Sequence, residues 1–459
     1  MRSCGVMKLS LLLLLILNLG CSSSKNADKA DQNTSGISID VKKKVLKNGL
    51  TILVVENDKL PIFSYYTYFQ VGSKYEFPGI TGSSHLLEHM MFKGAKKYGE
   101  GEFDKLIEGN GGKNNAYTSN DLTVYFESLP KEHLEVVVDL EADRMQNLLL
   151  VKESFEKERN VVLEERKMRY ENSDRGKIYL TMMKSVFKGT PYGSSVIGEI
   201  DDLKNVSREE VQKYFKQYYS PNNAVILLVG DVNAEKAFEM IEKSYGLIKP
   251  TENLTIKKKA QLDKLGYQFK KDFSKKIKLK GTSPTPMFSL ALKGIKIGER
   301  EGFVLDILSS ILGDGESSYL SEKFVNNRKP VLQSIYAANY TLQDSGVFFI
   351  GGQLLEKARL ATFEKKLRNE LHRSCQTAIT ERAMNKVINQ YLVSMLSGLD
   401  TNSGIAKFLG DRQVYYGDYN FYKKELALYQ SITVDELKLA CQKYLMTDES
   451  IFISIWNKN

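Results

Sequence analysis

Histidine and cysteine are scarce in this 459-residue chain, at four each, and tryptophan occurs once. With Cys4 and Cys21 close to the N-terminus, only Cys375 and Cys441 remain for the body, which excludes a fold stapled by several disulfides. Whether those two pair in an oxidising compartment or stay as buried thiols is open from sequence alone. The unbroken apolar run Leu11 to Leu17 is too short to cross a bilayer. A large excess of one charge is also missing: 65 basic residues face 56 acidic ones, a net +9 that describes a mildly basic soluble surface and no nucleic-acid footprint.

Because histidines are so few, their placement carries information. Two of the four, His85 and His89, stand four residues apart within Gly82-Ser-Ser-His-Leu-Leu-Glu-His-Met-Met-Phe-Lys-Gly94, with Glu88 between them. At 3.6 residues per turn this spacing puts both imidazoles on one helical face, close enough to hold one metal ion, with Glu88 beside them. Leu86, Leu87, Met90 and Met91 cover much of the remaining circumference, so the helix should be largely buried, where a polar trio needs a partner. A pair of helical histidines is often an ordinary core feature. The pattern H-x-x-E-H, however, is the inverse of the H-E-x-x-H arrangement of zinc peptidases, and the other two histidines, His133 and His372, fall in no such pattern.

From its beginning the chain has a short basic opening, Arg2 and Lys8, followed by the Leu11 to Leu17 run, so residues 1–20 read as a signal peptide. Leu-Asn-Leu-Gly-Cys21 before three serines resembles a bacterial lipoprotein processing site, which would leave Cys21 acylated at the new N-terminus; plain secretion or an uncleaved anchor is the alternative. Residues 21–40 are polar and poor in aromatics, the composition of a solvated tether. Loss of Arg2 and Lys8 lowers the formal charge from +9 to +7.

The remaining length is too great for one core and suits two domains, at 41–250 and 276–459, with the lysine-rich 251–275 containing the linker. An internal echo supports a duplication. Val206-Ser-Arg-Glu-Glu210 and Ile432-Thr-Val-Asp-Glu436 are both capping boxes preceded by an apolar residue, and each opens a helix with a tyrosine eleven residues past the cap, Tyr218 and Tyr444. Each helix leads into an apolar strand, Ala224 to Val229 and Ile451 to Ile455. In the first half Leu50 to Val55, Phe63 to Val71, Asn115 to Thr118 and Leu122 to Glu127 read as strands, and Glu102 to Ile107 and Glu132 to Asn147 as helices. Strands and helices without strict alternation predict an α+β fold of two homologous domains, each a mixed, largely antiparallel sheet packed with helices.

A helix starting near Glu153 carries Glu158 and Glu165 seven residues apart, two turns along one face, with Val161 and Val162 expected on the same face and Glu156 and Glu164 in solvent. Carboxylates on an apolar face need a partner, and the histidine helix needs one too.

Here the chain resembles the pitrilysin/insulin-degrading family of zinc peptidases, and within it the half-length, two-domain chains related to mitochondrial processing peptidase. The residues that carry the resemblance are Leu46 to Gly49, Val71 to Ser73, Gly82 to Gly94, Asn115 to Thr118, Glu158 with Glu165, Tyr192 with Gly198, and Tyr219 to Asn222 before Gly230-Asp231. The resemblance implies that His85, His89 and Glu165 hold one Zn2+ per chain, that Glu88 is the general base, and that Glu158 is a supporting acid. It also implies that Asn115 and Ala116 lie on an edge strand that pairs with an extended peptide substrate. Full-length relatives carry an Arg and a Tyr seven residues apart in the second half; here Val325 takes the arginine position, and Arg328 with Tyr336, eight apart, is the nearest substitute. A homodimer, or a heterodimer with a related chain supplying that pair, is the expectation. So is a lipid-anchored zinc endopeptidase of the bacterial cell envelope facing the periplasm. The alternative is a non-catalytic structural or binding subunit of the same fold.

Overall fold

A computed structural model describes residues 37–265, 273–355 and 360–457. Residues 1–20, Cys21 and most of the tether therefore lie outside the described residues. Among the described residues no helix is long and apolar enough to cross a membrane.

Among the described residues eleven strands form two sheets. The first contains β1 (Lys42–Val45), β2 (Thr51–Glu56), β3 (Ile62–Phe69), β4 (Lys113–Thr118), β5 (Thr123–Pro130) and β6 (Ala224–Gly230), in the order β1-β2-β6-β3-β5-β4. The second contains β7 (Lys275–Lys280), β8 (Met287–Lys293), β9 (Leu332–Thr341), β10 (Gly346–Leu354) and β11 (Ser450–Trp456), in the order β7-β11-β8-β10-β9. Apart from β1, the two sheets repeat each other strand for strand. In each the first strand runs parallel to the last (β2 with β6, β7 with β11), and the other neighbours are antiparallel. The duplication expected from the two capping boxes is thus written in the topology. Both boxes form, on Ser207 with Glu210 and Thr433 with Glu436, and the helices they open, Arg208–Tyr218 and Val434–Leu445, feed the equivalent strands β6 and β11.

Each sheet buries one face under its own helices. The first core joins β2, β3 and β6 to the helices Ser83–Met90, Leu134–Asn147 and Arg208–Tyr218 through residues such as Phe63, Leu87, Val138 and Tyr214. The second gathers Phe288, Leu308, Phe348 and Leu437 in the same way. Cys375 and Cys441 lie in that second core and are joined in a disulfide, which resolves the choice the sequence leaves open.

Two expectations are corrected. The strand expected to run to Val71 ends at Phe69, because Gly72 is pressed against the 119–120 segment: a Cβ there would stand 2.3 Å from the Ser119 carbonyl oxygen. Within the lysine-rich stretch, Leu254–Leu265 form a helix. Leu254 of that helix is buried, and Lys258 Nζ donates to the Asn223 side chain at 2.6 Å and to the Gln70 carbonyl. Burial first, then the nearby Lys74, pushes the Lys258 ammonium down to about 7. Finally, Val161 is exposed; the inner face of its helix is carried by Phe155, Glu158 and Val162.

Candidate metal centre

The histidine helix Ser83–Met90 is positioned from its N-terminus. Gly82 caps it with φ of 90°, and a Cβ at Gly82 would stand 2.7 Å from the Ile197 carbonyl oxygen, so no other residue fits this entry. The buried Glu76 carboxylate accepts from Gly82 N at 2.6 Å and Ser84 N at 2.7 Å, satisfying two orphan donors of the first turn. Burial pushes Glu76 up to about 8 in spite of those two donors. The facing helix, Lys152–Arg166, is fixed by Arg159, whose guanidinium donates to the carbonyls of Leu203, Lys204 and Val206 at the end of the short helix Ile200–Asn205.

Between these two helices His85, His89 and Glu165 converge, each offering a ligand atom within 4.8 Å of the others. Glu165 Oε2 lies 3.8 Å from His85 Nε2 and 3.5 Å from His89 Nε2. Ligands around a tetrahedral ion with bonds of about 2.1 Å sit roughly 3.4 Å apart, so two imidazole nitrogens and a carboxylate oxygen at these separations fit zinc. His89 Nδ1 is 3.0 Å from Glu158 Oε2, and Lys93 pairs with the other oxygen of Glu158 at 2.9 Å. With Nδ1 turned to that carboxylate, Nε2 faces Glu165 and is the nitrogen available to a metal ion, the usual arrangement of a metal-binding histidine. Glu158 therefore stands behind His89, outside the three converging atoms.

The charges respond to this crowding. Burial and then the neighbouring His89 imidazole push His85 down to about 4. Burial lowers His89 too, but hydrogen bonds to Glu165 and Glu158 outweigh it and raise the group. The His89 hydrogen bond holds Glu165 below the usual carboxylate range, whereas burial raises Glu88. Two carboxylates of one site are thus pushed apart, the pattern expected when one binds and the other moves protons. Glu88 Oε2 accepts from the Thr118 hydroxyl at 2.5 Å.

The trio and Glu88 lie in a cleft of roughly 630 Å³. One wall is β4, the edge strand of its sheet, with Asn115 and Ala116 on the cleft side. The Ala116 N–H has no strand to bond outward and is taken by Asn115 Oδ1 at 2.8 Å. The opposite wall contains Arg169, Tyr170 and Tyr179, and among the described residues the second sheet contributes Tyr340 alone. Arg169 and Tyr170 sit on a π-helical turn, Lys167–Glu171, directly after Glu165. Arg169 Nη1 pairs with Glu165 Oε1 at 3.0 Å, leaving Oε2 to the imidazoles. Arg328 and Tyr336 do not enter the cleft: Arg328 is exposed, and Tyr336 lines a separate small pocket with Arg175. Arg169, four residues past Glu165, was within reach of helical spacing; nothing local to Tyr340 marks it.

Residues 52–199 match the family described as "Insulinase (Peptidase family M16)", and residues 205–391 match "Peptidase M16 inactive domain". The "Zinc protease PqqE" of Helicobacter pylori is 32% identical over 376 residues, covering 80% of this chain and 82% of that protein. The chain belongs to peptidase family M16. Another relative, the "Probable mitochondrial-processing peptidase subunit beta, mitochondrial" of Arabidopsis thaliana, is 24% identical across 89% of this chain and 77% of its own length. A solved structure, "The crystal structure of a protease from Helicobacter pylori", superposes with a TM-score of 0.83 at 28% identity, covering 91% of this chain and 99% of that one. The half matching the M16 inactive domain holds one histidine, His372, and no second H-x-x-E-H.

Proposed function

We propose that this M16 chain is a zinc-dependent endopeptidase hydrolysing extended or unfolded peptides, with His85, His89 and Glu165 as ligands of one Zn2+ and Glu88 as general base. The observation that carries this reading is the convergence of two imidazoles and a carboxylate within 4.8 Å, beside a second carboxylate, at a cleft walled by an edge strand. His85, His89 and Glu165 would hold the zinc, which when bound would supply a water of pKa about 7 and an electrophilic contact for a carbonyl oxygen. Glu88 takes the proton that the attacking water gives up and hands it to the departing amine. The Thr118 hydroxyl keeps Glu88 aimed into the cleft. An extended peptide adds to β4 as a further strand, and its carbonyl replaces Asn115 Oδ1 on the Ala116 N–H.

Chelation is expected to abolish cleavage of an unfolded reporter peptide, with recovery on adding back zinc. Cleavage that persists after chelation sinks the reading. Since, among the described residues, the second half brings Tyr340 to the cleft and no arginine, we assign the Arg and Tyr of full-length relatives to a second chain, in a homodimer or a heterodimer with a related chain. One relative is a mitochondrial-processing peptidase subunit beta by name, which supports a multichain assembly. The non-catalytic reading is favoured only by the "inactive domain" description of residues 205–391, and the four chemical residues lie outside that segment.

The leader and Cys21 support attachment to a membrane of the bacterial envelope, facing the periplasm. A fatty-acid analogue fed to expressing cells should label the protein and not its Cys21→Ala variant. Equal labelling of the two removes Cys21 as the anchor.

A further inference from the structure

Thr118, which holds Glu88, is the last residue of β4, and the chain then turns through Ser119, Asn120 and Asp121. That turn is gripped from two sides. From the first half, Ser73 N donates to the Ser119 carbonyl at 3.2 Å, Lys74 N to the Asn120 carbonyl at 3.0 Å, and Asn120 Nδ2 to Ser73 Oγ at 3.0 Å. From the second half comes the β9–β10 turn: Gln343 N donates to Asp121 Oδ2 at 3.2 Å, and the Tyr340 hydroxyl reaches Asn120 Oδ1 at 3.4 Å.

The two sides meet at one cation. Lys74, 2% exposed, places its ammonium 2.9 Å from Asp121 Oδ1 and 3.0 Å from Asp344 Oδ2, and also donates to the Gln343 side chain. Tyr192 spans the same carboxylates, its hydroxyl lying 2.8 Å from Asp121 Oδ1 and 3.1 Å from Asp344 Oδ2. It also accepts from Asp344 N at 3.2 Å. A buried ammonium needs its full set of acceptors, so Lys74 cannot keep Asp121 in place as firmly when Asp344 is missing.

We propose that Asp344 is a positioning residue for the substrate strand: through Lys74 and Tyr192 it fixes Asp121, and with it the C-terminal end of β4. The second half then serves this cleft mechanically, by holding the edge strand in the conformation that a peptide pairs with. This rests on the peptidase reading for its kinetic consequence but not for its structural one. Asp344 is suited to the test because its side chain is 38% exposed and its removal leaves both cores intact.

In Asp344→Ala, amide hydrogen exchange across residues 114–122 should rise about tenfold relative to wild type, while the amides of β3 and β6 exchange as before. For an extended peptide KM should rise about tenfold with kcat changed less than about twofold, and Asp344→Asn, which keeps an oxygen for Tyr192, should lie between. A purely structural clamp would raise exchange evenly along the chain; that result, or unchanged exchange at 114–122, overturns the proposal. If wild type cleaves no peptide, the peptidase reading fails, and the exchange pattern still decides the role of Asp344.

Discussion

Glu88→Gln should bind zinc as wild type does and lose peptide hydrolysis by a factor of about a hundred to ten thousand, the range contributed by a positioned general base. The substituted amide keeps the size of the side chain and an oxygen for the Thr118 hydroxyl, so the strand wall and the helix stay in place. What it lacks is the capacity to accept a proton. Neither neighbouring carboxylate takes over: Glu165 Oε2 is turned to the imidazoles and Glu158 Oε2 to His89 Nδ1. Initial rates on a quenched-fluorescence peptide, beside zinc content by elemental analysis, check the prediction. Wild-type rates in the variant remove Glu88 from the mechanism, and loss of zinc would show that it acts on the metal instead.

The second large effect is on stability. Arg144 is 2% exposed and serves two buried carboxylates, Glu127 at 3.0 Å and Glu141, closer still. Its guanidinium lies 4.5 Å from the Tyr125 ring centroid and 4.6 Å from that of Phe103. Replacing it with Met leaves two carboxylates facing each other in the core, and breaking such a buried set costs about 3–5 kcal/mol. Urea denaturation of Arg144→Met should show a loss of that order, and Glu127→Gln together with Glu141→Gln should recover part of it. The pH dependence has a fixed sign. Burial, then the Glu141 charge, raises the folded-state Glu127 carboxyl well above its usual value. A group raised in the fold contributes most below its unfolded value of about 4.3 and loses that contribution as pH rises. Arg144 lowers that carboxyl, so its loss raises Glu127 further, and the deficit should widen as pH rises past the wild-type folded value. A deficit that is constant with pH, or under about 1 kcal/mol, contradicts this account of the cluster.

Much of this site was legible because its signals are local. His85, Glu88 and His89 share one turn and a quarter of a helix, and Glu158 and Glu165 are two turns apart on another, so helical periodicity alone groups them. The duplication could be read from two capping boxes because a cap is set by four adjacent residues. What escaped depends on distant chain. Tyr340 reaches the cleft on β9, from a sheet whose register with the first half no spacing encodes. The helix Leu254–Leu265 escaped for a different reason: its inner face is Leu254, Lys258 and Leu262, and a lysine in an inward position disguises the amphipathic pattern. Arg328 and Tyr336 were paired by separation in sequence, yet the chain between them includes the irregular stretch before β9, and the two side chains lead separate lives.

Anomalous diffraction at the zinc edge from crystals of the purified protein tests the centre most directly. The account predicts a single strong peak per chain within bonding distance of His85 Nε2, His89 Nε2 and a Glu165 oxygen, and no such peak in crystals of His89→Ala. A zinc-supplemented crystal with no peak there, or with its peak on other residues, would contradict it.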